Sequence, residues 1–154
     1  MILYRIAEKK YAEDLSGNGA ALYGGRWNPK DVPILYCASS VALASLEVLI
    51  RFHESNRSSN LHLIVINIGN NDSIQKIESS NLSLHWIEQI DETKKIGQAW
   101  SKSNQSMMLE VPSAIVPIDK NYLLNPNHSN YSQVEIIDIV PYQFDNRLFK
   151  THVF

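Results

Sequence analysis

The chain has 154 residues, of which 44% are hydrophobic. That is enough for one domain that buries roughly two-thirds of its unfolded surface without help from a metal or a disulfide. Fourteen basic against sixteen acidic residues give a formal charge of -2, and no basic stripe interrupts the sequence, which argues against a non-specific nucleic-acid binder. Cys37 is the single cysteine, so a disulfide framework within the chain is excluded and a thiolate metal site is disfavoured. The opening MILYRIAEKK lacks the basic start and long apolar core of a signal peptide. No window reaches the roughly 18 apolar residues of a membrane span. The expected location is the cytoplasm, with no membrane contact.

In chain order, MILYRIA alternates as a first strand. Residues 11–25, YAEDLSGNGAALYGG, hold four of the six glycines and read as a long, functional loop. VPILYCA is a short strand in which Cys37 is a small buried apolar residue. Ser39 or Ser40 can cap a helix from about Val41 to His53, because a hydroxyl before an apolar run satisfies free backbone N–H groups. NRSSN ends that helix and LHLIVINI is a strand. Asp72 caps a short helix through Ile77. DETKKIGQAWSKSN has helical spacing, with acidic residues early and lysines late. SMMLEVP and SAIVPI read as short or edge strands because of Pro112 and Pro117. NYLLNPNH is strand then turn, QVEIIDIVPYQF a last long strand, and DNRLF a terminal helical turn. Strands and helices mix without regular βαβ alternation, which predicts an α+β domain.

Two charges stand out in GGRWNPKDVPILYCASSVALASLEVLI. Glu47 has Leu43, Ala44 and Ile50 at helical spacing and Arg51 at i+4, so no helix face is plainly left for solvent. A carboxylate there is desolvated, paired or lining a cavity. An ion pair with Arg51 at the core edge and a functional site are both open. Arg26 follows Gly24 and Gly25, which let backbone approach a ligand closely, and its guanidinium is a planar fork for phosphate or carboxylate. Equally, its stem can pack on Trp27 at the surface. His53, His62, His85, His128 and His152 show no zinc-type spacing, so no metal is expected. Phosphate-loop, dinucleotide and nucleophile-elbow motifs are absent. Ser113 has no histidine beside it for a triad.

GGRWNP, PILYCASS and ALASLEVLIRF resemble the signature of RES-domain proteins, named for a shared Arg, Glu and Ser. IGQAW, LEVPSAIVP, YLLNPNH and the closing VEIIDIVPYQFDNRLF match later blocks of that family in the same order. The resemblance spans nearly the whole chain and implies one RES domain over residues 1–154, similar in fold to ADP-ribosyltransferase toxins. It further implies a bacterial growth-inhibiting toxin, paired with an Xre-type helix-turn-helix antitoxin, that destroys NAD at the nicotinamide–ribose bond. NAD is then a substrate, and no cofactor is implied. Carried over by position, the site comprises Arg26 for an NAD phosphate, Tyr36 beside the nicotinamide ribose, Glu47 for the developing cation, and Ser113 hydrogen-bonding the ligand. Asn125 in LLNP matches a recurring family residue.

Within that implication, cleavage passes through an oxocarbenium-like ribose, as in glycoside hydrolysis. A carboxylate in a low-dielectric setting stabilises it, and nicotinamide needs no general acid to leave. The acceptor is water, phosphate or a protein; the last alternative makes the chain an ADP-ribosyltransferase. A non-catalytic module that seats NAD or a partner is the alternative of another class. A ribonuclease fits poorly with the acidic balance.

Overall fold

The computed structural model describes residues 1–52, 60–70 and 73–149. Its strands are β1 (Ile2–Glu8), β2 (Leu35–Ala38), β3 (Leu61–Asn67), β4 (Ile74–Lys76), β5 (Met108–Pro112), β6 (Lys120–Leu124) and β7 (Glu135–Tyr142). Its α-helices are α1 (Asn18–Tyr23), α2 (Val41–Leu49) and α3 (Ile90–Ser103). The strands form one seven-stranded sheet in the order β4-β5-β6-β2-β1-β3-β7. Only β4 and β5 run parallel; the other neighbours are antiparallel. The architecture is α+β with mixed strands and helices, as expected. No described helix is long and apolar enough to cross a membrane.

Strand alternation sorts the core onto two faces. Leu3, Cys37, Ile64, Ile66, Met108 and Leu124 pack together on one face. On the other, Ile34, Leu109, Val111 and Leu123 meet Trp27, Trp86 and Trp100. Beside them Ile6, Ala38 and Leu61 meet Leu43 and Ala44 of α2 and Phe144.

Pairing is uneven along this sheet. β1 zips to β3 from Ile2↔Asn67 to Glu8↔Leu61, yet it meets β2 at the single pair Tyr4↔Ala38. Beyond that pair the two strands part, and α2 touches both of them. Ser40 is the residue that caps α2, its Oγ accepting from the Leu43 N–H at 3.1 Å. In α3, Asp91 and Glu92 occupy the first turn and Lys102 the last, matching the helix dipole.

Four local expectations are corrected. The glycine-rich stretch 11–25 is not all loop, since α1 forms within it. Its closing N–H, on Gly24, bonds to the Ala20 carbonyl at 2.8 Å. α2 ends at Leu49 rather than near His53, tightening through Arg51 N–H to Val48 carbonyl and Phe52 N–H to Leu49 carbonyl. His53 and NRSS lie outside the described residues. The helix expected through Ile77 is instead β4, paired with β5; its proposed cap Asp72 lies outside the described residues. SAIVPI is a turn, not a strand. There the Ser113 hydroxyl accepts from both Ile115 N–H and Val116 N–H at 3.1 Å, displacing ladder bonds.

α3 lies so close to the segment after Gly25 that a Cβ on Gly97 would sit 1.8 Å from the Trp27 carbonyl oxygen. Gly97→Ala is predicted to destabilise the protein by about 1–3 kcal/mol through overpacking, although alanine is the better helix former. Gly19→Ala, whose Cβ meets nothing within 4 Å, should instead leave stability level or raise it by about 0.4–1 kcal/mol. Urea unfolding of both variants checks the contrast.

Candidate active site

Where β1 and β2 part, three adjoining cavities share Tyr36 and Arg51 in their walls. The smallest, about 190 Å³, lies in the parting itself, between Tyr4, Arg5 and Ile6 on β1 and Tyr36, Cys37 and Ala38 on β2, with Glu47 above. A second, about 410 Å³, runs from Glu47 past Tyr36 to Arg26, Trp27 and Ile87. The third, about 820 Å³, lies under α1 and its glycines, bounded by Arg5, Tyr11, Asp14 and Tyr23.

Glu47 is half-buried on the face of α2 that looks into this cleft. Its Oε1 accepts from Ser113 Oγ at 2.9 Å and from Asn121 Nδ2 at 2.5 Å. Neither Glu47 nor Arg51 takes part in the ion pairs among the described residues. The i,i+4 pair that spacing allowed is therefore not formed, and Glu47 is held by two neutral donors. α2 also has a solvent face, contrary to the expectation from its sequence, because Leu46 and Ile50 are exposed.

Arg26 reaches the same cleft from the glycine hinge. Its Nη1 donates to the Ile87 carbonyl at 2.8 Å, and its guanidinium carbon lies 5.9 Å from the centre of the Trp86 ring. Its backbone carbonyl accepts from Thr93 Oγ1 on α3 at 2.6 Å. One edge of the fork is thus anchored, and the rest borders the cavity. Trp27 is not a surface platform for the Arg26 stem; it is buried in the core.

Tyr36 organises the turn that carries Arg26. Its hydroxyl donates to Asn28 Oδ1 at 2.7 Å and accepts from the Trp27 N–H at 3.0 Å. Burial pushes the phenol's pKa up, so it stays a donor. A Cβ on Gly25 would fall 2.7 Å from both the Tyr36 hydroxyl and Asn28 Oδ1, so this turn closes only over a glycine. Asn28, wholly buried, spends its amide on the carbonyls of Ala20, Pro29 and Val32.

Arg26, Tyr36 and Glu47 are therefore brought together. Ser113 joins them indirectly: it is fully buried, lines none of the three cavities, and touches Glu47. Its contact in the structure is with the carboxylate, which it helps to fix. Asn125 lies apart from these cavities. Its Nδ2 donates to the Ser101 carbonyl and to Asn104 Oδ1, tying the end of α3 to the turn after β6. Among the described residues no group of His, Cys, Asp and Glu is placed to hold a metal.

Sequence reasoning missed Asn121, Asn28 and Arg5. None has a local signature: Asn121 reaches Glu47 only because β6 pairs with β2, and Arg5 faces the cleft only because β1 leaves β2.

An α+β domain whose parted sheet sets one carboxylate among arginines is the class that fold and site define. The chain belongs to the RES domain family, whose pattern matches residues 2–145. It is 37% identical over 154 residues to the protein named toxin Res of Photorhabdus laumondii, covering 97% of this chain and 98% of that one. It is 34% identical over 143 residues to a Prs ADP-ribosylating toxin of a Sphingobium species, covering 90% and 89%. Its fold is also that of a chain in the M. tuberculosis MbcT–MbcA toxin–antitoxin complex, with a TM-score of 0.76 at 19% identity, covering 92% of this chain and 83% of the other.

Removing the Tyr36 hydroxyl leaves a buried Asn28 oxygen and the Trp27 N–H without their partner. Tyr36→Phe is predicted to lose about 1–3 kcal/mol of stability. Chemical unfolding measures this, and a variant as stable as the parent would mean that the hydroxyl does not hold the turn.

Proposed function

We propose that this chain is the toxin of a toxin–antitoxin pair and that it cleaves the nicotinamide–ribose bond of NAD. The observation that carries the reading is Glu47: half-buried, fixed through Oε1, with Oε2 free of described hydrogen bonds, and sharing one cavity with Arg26 and Tyr36. NAD enters as the substrate; the chain needs no resident cofactor for this step. As the bond from ribose C1′ to the ring nitrogen breaks, its electron pair goes to that nitrogen and neutralises the ring's positive charge. The ribose is left as an oxocarbenium ion beside the Glu47 carboxylate, whose field is strongest where water is excluded. Water, or phosphate, then adds at C1′ and loses its proton. Arg26 offers its unanchored N–H groups to the nicotinamide-side phosphate, and the Tyr36 ring borders the ribose.

The toxin role is supported by relatives bearing that name over nearly their full length. An antitoxin partner of the Xre helix-turn-helix type is proposed from the family resemblance, with the solved complex supporting the existence of a partner. One observation favours a second reading, transfer of ADP-ribose to a protein: a relative at 34% identity is named as an ADP-ribosylating toxin. Incubation with labelled NAD and cell lysate separates the two, giving free ADP-ribose or its phosphate in one case and a labelled protein band in the other. Intact NAD and normal growth during solitary expression would exclude both.

Glu47→Gln keeps an acceptor oxygen for Ser113 and Asn121 while removing the charge. Its NAD turnover should fall on the order of a hundredfold to a thousandfold, as for loss of one preorganised electrostatic contact. Its melting temperature should stay level, and cells should tolerate it without antitoxin. A fully active Glu47→Gln protein would return this residue to a structural role. Arg26→Lys keeps charge but loses the planar fork; the expected result is a raised KM for NAD in steady-state kinetics with the fold intact.

A further inference from the structure

GNGAALYGG, the glycine-rich run that matches no phosphate or dinucleotide motif, contains the chain's single Asn-Gly pair, Asn18–Gly19. An asparagine followed by glycine carries an electrophile and a nucleophile side by side. The glycine's backbone nitrogen can attack the asparagine's side-chain amide carbon and close a cyclic imide. A fold prevents this by engaging the amide, bonding the nitrogen or walling off the ring. Asn28 and Asn121 are protected in the first way, their amides donating to the Ala20, Pro29 and Val32 carbonyls and to Glu47. Asn125 and Asn28 are in addition followed by prolines, which have no N–H to lose.

Asn18 has none of these protections. Asn18 and Gly19 are both exposed. The Asn18 backbone N–H donates to Ser16 Oγ at 3.1 Å, while its side-chain amide makes no hydrogen bond among the described residues. The Gly19 N–H meets no acceptor among them either, as befits the first turn of a helix. A Cβ on Gly19 would find nothing within 4 Å, so ring closure meets no steric wall. α1 has six residues, buries none of them, and starts at Gly17 with φ 71° and no side-chain cap. So short a helix is marginal by itself. Its anchors lie to either side of the pair. Gly17 is pressed against the Ile34 backbone, and the Ala20 and Ala21 carbonyls accept from Asn28 Nδ2 and the Asp31 N–H at 2.9 and 2.8 Å. Turning the Asn18 backbone toward ring closure opens the first turn, where the Ala21 N–H bonds to the Gly17 carbonyl at 3.1 Å, and leaves the later anchors in place.

We propose that Asn18 is a self-modification site at which the folded chain deamidates. The Gly19 nitrogen loses its proton and bonds to Asn18 Cγ, the bond from Cγ to the side-chain nitrogen breaks, and ammonia leaves. Water then opens the imide at either carbonyl, giving aspartate at position 18 or isoaspartate, whose main chain runs through the side-chain carbon. Both products add a negative charge. Asn18 shares the wall of the largest cavity with Arg5 and Arg51, and neither arginine belongs to an ion pair among the described residues. The charge of that wall therefore changes with the age of the molecule. This inference stands apart from the reaction proposed for the cleft.

The test is incubation of the full chain in warm, mildly alkaline buffer, with peptide mass spectrometry and enzymatic methylation of isoaspartate at successive times. The tryptic peptide from Tyr11 to Arg26 should gain the mass difference between an amide and an acid, ahead of every other asparagine. Gly19→Ala, whose Cβ has open space, should react roughly tenfold more slowly, the effect of a barrier raised by about 1.4 kcal/mol, because a methyl group crowds the attacking nitrogen. Equal rates in the parent and Gly19→Ala would overturn the imide route. The same chain unfolded in urea sets the unprotected rate. A native rate within roughly tenfold of it supports the inference, since local opening of a loosely held turn costs little. A slower native rate overturns it, because the fold then protects the pair.

Discussion

Everything at the candidate site depends on β1 and β2 letting go of each other after Tyr4↔Ala38. An ordinary antiparallel ladder would pair Arg5 and Ile6 with residues of β2 and close the sheet. Instead β1 takes its full ladder from β3, and β2 takes its own from β6. Each strand is satisfied on one side, so the parting leaves room between them at small cost in backbone hydrogen bonds. α2 roofs the gap, anchored by Leu43 and Ala44 against Ile6 and Ala38. Glu47 thereby faces down into space that a continuous sheet would have filled.

The turn carrying Arg26 is fixed with the same economy. Gly25 permits the Tyr36 hydroxyl and Asn28 to meet, Thr93 holds the Arg26 carbonyl, and Gly97 lets α3 press against Trp27. Arg26 is therefore coupled to α3 through backbone and to β2 through Tyr36. A change in how α3 packs reaches the guanidinium without touching any ligand.

The elements with clear apolar runs were legible in the sequence: β1, β3, β7 and α3 lie where those runs predict them, and Ser40 caps α2 as a hydroxyl before an apolar run should. What escaped was set by partners distant in the chain. Residues 74–76 are a strand because β5 offers them an edge, not because of their own pattern. SAIVPI carries β-branched residues, but the Ser113 hydroxyl captures two of its N–H groups. For the site, Glu47 was conspicuous because a carboxylate in an apolar helix demands an explanation. Arg5 was not, since an arginine in an alternating strand looks like an ordinary outward-facing residue. Composition, periodicity and spacing gave Ser113 no partner for a nucleophile's triad, and it entered the site through the family resemblance alone; its contact with Glu47 comes from the turn geometry. Asn125 stood out through the family's block pattern, and its amide serves the end of α3.

The choice of partners for Glu47 has a chemical consequence. An arginine bonded to this carboxylate would hold it firmly, but would also cancel much of its field at the distances where a cationic transition state forms. Ser113 and Asn121 fix one oxygen with neutral dipoles, so orientation is obtained without neutralisation. Arg51, just past the end of α2, forms no ion pair among the described residues and lines the cavities instead. Negative charge is thus concentrated at Glu47, and positive charge is kept at the neighbouring walls; in the proposed reaction these are the places of the ribose cation and of the phosphates. A nucleotide carrying both a cationic ring and anionic phosphates meets complementary charge at each end, and a ligand with only one of these groups leaves the other unmatched.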